Sequence, residues 1–202
     1  MRLAPVLLFA TATLLSACAL KLPQPESANT FLLDGLPASA AAVPARSDLT
    51  LTVAPTRARP GFDTPAMVYT RRANELESFA KNRWADAPAR MLSPLIAQAL
   101  ERSGAFRAVL HARAGAAAEL QLDTELVRLQ QDFTQRPSRV ELALHAQLVD
   151  LRSRQVIAAH EFDVVEDAPS DDPYGGVTAA NRALSRLLGE LVGFCAEHAP
   201  KR

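Results

Sequence analysis

The chain has 202 residues, and its 22 Lys and Arg are balanced by 22 Asp and Glu, so there is no basic excess for a polyanion and nucleic acid is excluded as a partner. Two cysteines, Cys18 and Cys195, exclude a disulfide framework, and the length suffices for one packed core.

The first elements are signals rather than structure. Arg2 is followed by an apolar run from Leu3 to Leu15 and by small residues at Ser16 and Ala17, the form of a secretory signal over residues 1–17. The run of about thirteen residues, at ~1.5 Å each, falls short of a ~30 Å hydrocarbon core. Leu15-Ser16-Ala17-Cys18 has the Leu-small-small-Cys form of a lipobox, in which the thiol receives diacylglycerol before the chain is cut in front of it. Cys18 is therefore expected to carry S-diacylglycerol and an N-acyl chain such as palmitate. At ~0.8 kcal/mol per buried methylene these lipids hold a protein stably on a membrane. Ala19 stands where Asp would retain an enterobacterial lipoprotein in the inner membrane, so the expected location is the periplasmic face of the outer membrane. Residues 18–29 read as the acylated cysteine and a polar, proline-bearing tether, and residues 30–199 as one domain.

Strands are expected at Thr30–Asp34 and Leu49–Ala54, on either side of an alanine- and proline-rich loop at 36–46. The segment 60–91 is the least regular and holds the single Trp of the chain, with short strands around Ala66–Arg71 and Leu76–Ala80. Long irregular segments are often functional, and this one has more aromatic and methionine side chains than a solvated loop needs. Phe62, Met67 and Tyr69 are the candidates for partner or lipid contact, with Trp84 behind them. Phe62, beside Gly61 and Asp63, is expected to be the most exposed, and the turn Gln135–Ser138 is the alternative contact surface.

The spacing of Met91, Leu92, Leu95, Ile96, Ala99 and Leu100 predicts a helix over 86–103 that stops at Gly104. Two readings stay open there: a kink at Pro94, or a shorter helix capped by Ser93 with Pro94 at its first position. After a strand at Phe106–Leu110 come three long strands in an antiparallel meander. The first has apolar residues on even positions to Leu126 and on odd positions from Val127, which predicts a β-bulge at 126–127. The second alternates through Val140, Leu142, Leu144, Ala146 and Leu148, and the third spans Val156–Val165. A second helix is expected over Val177–His198, after a turn cluster that includes Gly175-Gly176. The fold class is α+β: two layers, a mostly antiparallel sheet with long meander strands, and two main helices on one face.

The chemistry-bearing residues point away from catalysis. His111, His145, His160 and His198 have no metal-ligand spacing, and no metal or cofactor other than the covalent lipid on Cys18 is expected. Glycine-rich phosphate loop, Gly-x-Ser-x-Gly elbow and Ser-x-x-Lys motif are lacking, so the chain is not expected to be an enzyme. Asp171-Asp172 reads as helix-start caps, and Cys195, on the apolar line of the last helix, as a small buried hydrophobe.

Several segments in one order carry a resemblance. They are the lipobox, Phe31–Leu33, Leu51-Thr52-Val53-Ala54-Pro55, Met67-Val68-Tyr69-Thr70-Arg71, Asn82-Arg83-Trp84-Ala85-Asp86 with Met91-Leu92, and Ala99–Phe106. Over most of residues 30–195 the chain resembles the ABC-type transport auxiliary lipoproteins, periplasmic partners of MCE-domain lipid transport systems. The resemblance implies an outer-membrane-side auxiliary subunit of a transporter of lipids or other hydrophobic molecules. The MCE-domain protein, ABC permease and ATPase would be separate chains, and homo-oligomerisation stays open. A structural or regulatory outer-membrane lipoprotein supporting a cell-wall synthase or envelope assembly machine is the alternative.

Overall fold

The computed structural model describes residues 28–37, 47–111 and 117–200; Cys18, Ala19 and most of the expected loop at 36–46 lie outside them. In chain order the elements are β1 (Asn29–Phe31), β2 (Ser47–Val53), β3 (Arg57–Ala58), β4 (Ala66–Thr70), β5 (Glu77–Trp84), α1 (Pro88–Ser103), β6 (Phe106–His111), β7 (Leu120–Asp132), β8 (Arg139–Asp150), β9 (Gln155–Asp167) and α2 (Pro173–His198).

The meander forms as its alternation predicts. β7, β8 and β9 pair antiparallel through two ladders of twelve residue pairs each. Leu126 lies opposite Leu144 and Arg128 opposite Ala143, so Val127 is the extra residue of the bulge and Leu129 returns to the core side. A second irregularity follows in β9, where the partners of Leu148 and Val149 are Ala158 and Val156.

The other edge of β7 was not foreseen. Along it lie β2, β3 and β4 in succession, all parallel to it, at Leu51↔Leu120, Arg57↔Glu125 and Tyr69↔Gln131. β6 extends the sheet beyond β2, and β5 with β1 extends it beyond β4. The sheet is therefore mixed, with its long ladders antiparallel, and the class is α+β.

α1 packs on β6, β2, β3 and β7, α2 packs on β8 and β9, and the helices touch each other. Leu92, Ile96 and Leu100 of α1 and Leu184, Leu187, Leu188 and Leu191 of α2 share one core with Leu51, Leu122, Leu142 and Leu144. The alternate strand positions carry ion pairs instead, such as Glu125 with Arg59, just past β3, at 3.6 Å and Arg128 with Asp163 at 2.9 Å.

Both helix starts differ from expectation. α1 begins at Pro88 rather than Asp86, with Pro88 in the first turn, where a missing N–H costs nothing. Pro94 lies inside the continuous helix. Ser93 does not cap it: its hydroxyl donates to the Ala89 carbonyl at 3.2 Å and accepts the Thr56 N–H at 2.9 Å, tying α1 to the segment before β3. Gly104 ends the helix as expected, at φ 64°.

α2 begins four residues before Val177, at Pro173, and Asp172 is its N-cap, accepting the Gly175 N–H at 2.7 Å. Gly175-Gly176 is thus in the first helical turn, not in a turn before it. Close approach explains the pair: a Cβ at Gly175 would lie 2.1 Å from the Ser170 carbonyl oxygen, and one at Gly176 would lie 2.3 Å from Gln131 Oε1.

Candidate functional site

The β4–β5 hairpin sets Tyr69 opposite Glu77, and two residues further along β5 the Phe79 ring lies 4.5 Å from the Tyr69 ring, centroid to centroid. Phe133 joins them from the end of β7, because its N–H donates to the Thr70 carbonyl at 2.8 Å. It meets Tyr69 edge-on at 5.7 Å and Phe79 at 6.4 Å, geometries that aromatic quadrupoles favour. The Tyr69 hydroxyl donates to Glu77 Oε2 at 3.1 Å. Arg71 donates from Nε to Glu77 Oε1 at 2.8 Å, makes a second short contact through its terminal nitrogen, and holds its guanidinium carbon 5.6 Å from the Tyr69 ring centre.

These rings form one wall of an open groove of about 410 Å³, lined by Tyr69, Arg71, Phe79, Phe133, Gln135, Arg136 and Asp171. The opposite wall is the β7–β8 turn, held in place from the α2 side. Asp171 accepts the Ser138 N–H at 2.6 Å, and the Ala168 N–H donates to the Ser138 carbonyl at 2.7 Å. Asp132 supports the same turn, accepting the Thr134 N–H at 2.8 Å and Arg139 Nε at 3.2 Å.

The electrostatics keep Asp171, Glu77 and Tyr69 in their ordinary charge states at neutral pH. The Ser138 backbone N–H holds the Asp171 carboxyl below its usual range. The Arg71 hydrogen bond lowers Glu77 against the opposing effect of desolvation, and desolvation, with Glu77 beside it, raises the Tyr69 phenol. Three packed rings, two guanidinium groups and one carboxylate are chemistry suited to recognition rather than bond-making: rigid aromatics can supply contact area and the charges can orient a bound group.

The sequence-predicted candidates separate. Tyr69 lines the groove. Met67 and Trp84, each 4% exposed, belong to the core and line a cavity of about 10 Å³ with Phe79, Gln131 and Gly176. This corrects the placing of Met67 on a surface: the start of α2 covers it. Phe62 is half-buried, as Tyr69 is, but it packs against the core and is absent from the groove lining. The two alternative contact surfaces, the tyrosine strand and the turn at Gln135–Ser138, turn out to be the walls of one groove. Gln135 and Arg136 come from that expected turn, whereas Phe79, Phe133, Arg71 and Asp171 are not among the expected contact residues; the only signal for them is a phenylalanine at a strand end beside a polar turn. Cys195 is fully buried, and its thiol is pushed up to about 12 by desolvation. Among the described residues no group of His, Cys, Asp and Glu is placed to hold a metal.

The groove lies wholly within a match to a known family: the family model of the ABC-type transport auxiliary lipoprotein component matches residues 31–192. The chain belongs to this family. Among solved structures, the auxiliary lipoprotein chain is similar to protein XCC0632 from Xanthomonas campestris, with a TM-score of 0.74 and 23% identity, covering 84% of this chain and 96% of that one. A hypothetical protein, CT253 from Chlamydia trachomatis, aligns with a TM-score of 0.57 and 13% identity over 75% of this chain and 98% of its own. At these identities the likeness is one of fold. No curated protein matches the chain.

Proposed function

We propose that this auxiliary lipoprotein is a non-catalytic docking subunit of an ABC transporter, anchored by lipids on Cys18 to the periplasmic face of the outer membrane. The system it serves moves lipids or other hydrophobic molecules between membranes, with an MCE-domain periplasmic protein, a permease and an ATPase on separate chains. Family membership over residues 31–192 carries this reading. The aromatic groove supports it, since a rigid ring cluster flanked by guanidinium groups suits an apolar side chain of a partner protein better than it suits bond-making chemistry.

In this reading Tyr69, Phe79 and Phe133 take up the partner's apolar side chain, while Arg71 and Arg136 meet its carboxylate or carbonyl groups. The rings are already packed on one another and the turn is already bonded to Asp171, so docking orders few side chains and loses little affinity to that cost. Co-purification tests the proposal: an MCE-domain protein encoded beside this chain should be captured by the full-length lipoprotein from solubilised envelopes. Capture should weaken tenfold or more with Tyr69→Ala, in line with about 1.4 kcal/mol or more for an aromatic anchor. Undiminished capture by Tyr69→Ala and Phe133→Ala together would remove the groove from the reading. Failure of the wild-type chain to capture any such protein would remove the MCE partner itself.

A further inference from the structure

Among the described residues, the two most exposed large apolar side chains are Tyr174, at 70%, and Leu32, at 63%. They are far apart in sequence, yet the fold brings their segments together. Leu32 follows β1 directly, and Tyr174 is in the first turn of α2. The Phe31 ring lies 6.5 Å from the Tyr174 ring. Two turns further along α2, Asn181 accepts the Asp34 N–H at 2.7 Å and donates to the Leu32 carbonyl at 3.4 Å, which clamps the segment along the helix. Contact there is so close that a Cβ at Gly35 would lie 2.2 Å from the Asn181 carbonyl oxygen. A shallow groove of about 450 Å³ continues the patch past Leu36, Val177 and Arg182.

Single exposed apolar residues are ordinary, but here the two most exposed among the described residues lie on segments bonded and packed to each other, and neither lines the aromatic groove. Their position in the chain says what covers them. Ala28 comes ten residues after Cys18, and a fully extended chain of that length reaches at most about 35 Å. Leu32 comes four residues later. The patch therefore surrounds the point at which a lipid-borne tether enters the fold. An exposed leucine and an exposed tyrosine at this end, one side chain wholly apolar and the other apolar with a polar tip, match the boundary between acyl chains and headgroups. Asp34 and Arg182 offset each other along the groove, so apolar contact drives the association rather than attraction to anionic lipid.

We infer that Leu32 and Tyr174 seat the domain on the membrane that carries its anchor, so that this end rests at the lipid interface instead of standing off on the tether. The inference rests on the acylation of Cys18. It also has a consequence for the aromatic groove: Asp171 in its lining is only three residues from Tyr174, so the groove is held near the headgroups, where a hydrophobic cargo leaves or enters the bilayer.

Bromolipid quenching tests it. Full-length acylated protein is reconstituted into phosphatidylcholine vesicles with plain or brominated acyl chains, carrying Leu32→Trp, Tyr174→Trp or Leu151→Trp. Trp84 is buried and gives a constant background. Leu151 is the control, since it is 38% exposed and lies beyond the end of β8 opposite to the one tied to Asp171, roughly 40 Å away along the strand. Tryptophan at 32 and 174 should be quenched at least twofold more by brominated lipid than tryptophan at 151, with no need for anionic lipid. Equal quenching at all three sites in protein that floats with the vesicles overturns the proposal. So does a blue-shifted Tyr174→Trp emission without vesicles together with a larger sedimenting species, which would show that a second copy covers the patch. Protein that does not float at all overturns the acylated anchor, and the proposal through its premise.

Discussion

Asp171 accepts the backbone N–H of Ser138 at 2.6 Å, and this bond joins the loop before α2 to the turn between β7 and β8. With the bond from Ala168 to the Ser138 carbonyl it makes a two-point clasp that sets the width of the aromatic groove. The clasp depends on a charge. Its carboxyl ordinarily titrates at 3.8 and is held lower in the folded chain, chiefly by the Ser138 backbone N–H.

That shift sets a sign for acid stability. A carboxyl whose folded value is depressed contributes fully above its unfolded value, and the contribution is lost as pH falls through the folded one. Asp172, lowered by the Gly175 N–H, acts in the same direction. The melting temperature should therefore drop below about pH 4. Asp171→Asn, which cannot ionise, should melt lower than the parent at pH 6, and the gap should close toward pH 2. Thermal scans across this range check it, and parallel curves would show that the clasp carries no charge dependence.

Binding and stability should separate between groove and core. Trp84→Ala and Met67→Ala remove fully packed side chains and should cost about 2–5 kcal/mol, seen as a large fall in melting temperature. Tyr69→Ala and Phe133→Ala, at half-exposed positions, should shift melting much less while weakening partner capture. Phe62→Ala should leave capture unchanged. Melting curves beside co-purification of the same variants distinguish the two groups.

Cys18→Ser should abolish labelled-palmitate incorporation and leave an uncleaved precursor or soluble protein in fractionated envelopes. Unchanged labelling and fractionation would contradict the lipobox reading.

Cys195 should resist thiol reagents in the native protein and react after denaturation, since it is fully buried and its thiol is pushed up to about 12. Cys195→Ala should cost about 1–2 kcal/mol without loss of partner capture. Fast labelling of folded protein would show that the last turns of α2 open readily.

The glycines of α2 should divide into two classes. Gly175→Ala pushes a methyl into the Ser170 carbonyl, and Gly176→Ala pushes one into a Gln131 side chain already bonded to Ser138 Oγ at 2.9 Å and the Asp172 carbonyl at 3.2 Å. Each should destabilise by about 1–3 kcal/mol. Gly189→Ala and Gly193→Ala meet nothing within 4 Å and should stabilise the helix by ~0.5–1 kcal/mol. Urea titrations of the four variants give the comparison directly.

Periodicity carried the parts of this protein that are local. The alternation from Leu120 to Val165 specified the meander and its bulge, because each side chain's face follows from its parity along the strand. The leucine lines of α1 and α2, the stop at Gly104 and the capping role of Asp172 were legible for the same reason. Composition misled where a residue type has two uses: Gly175-Gly176 has the look of a turn and is present because α2 packs too tightly for a Cβ. Polar Lys81, Asn82 and Arg83 likewise hid the extension of β5 to Trp84, since an outer part of a sheet tolerates exposed side chains.

The sequence by itself determined the lipobox expectation, the α+β class, the meander, the helix faces and the place of Cys195, all of which depend on neighbours a few residues apart. The tertiary structure alone decided that β2, β3 and β4 run parallel along one edge of β7, and that Tyr69, Phe133 and Asp171 meet in one groove while Met67 goes to the core. It also set Leu32 against the start of α2. Such juxtapositions depend on which strand edges pair and which helix lies over which strand, long-range choices made by burying apolar area across the whole chain, and no local spacing records them.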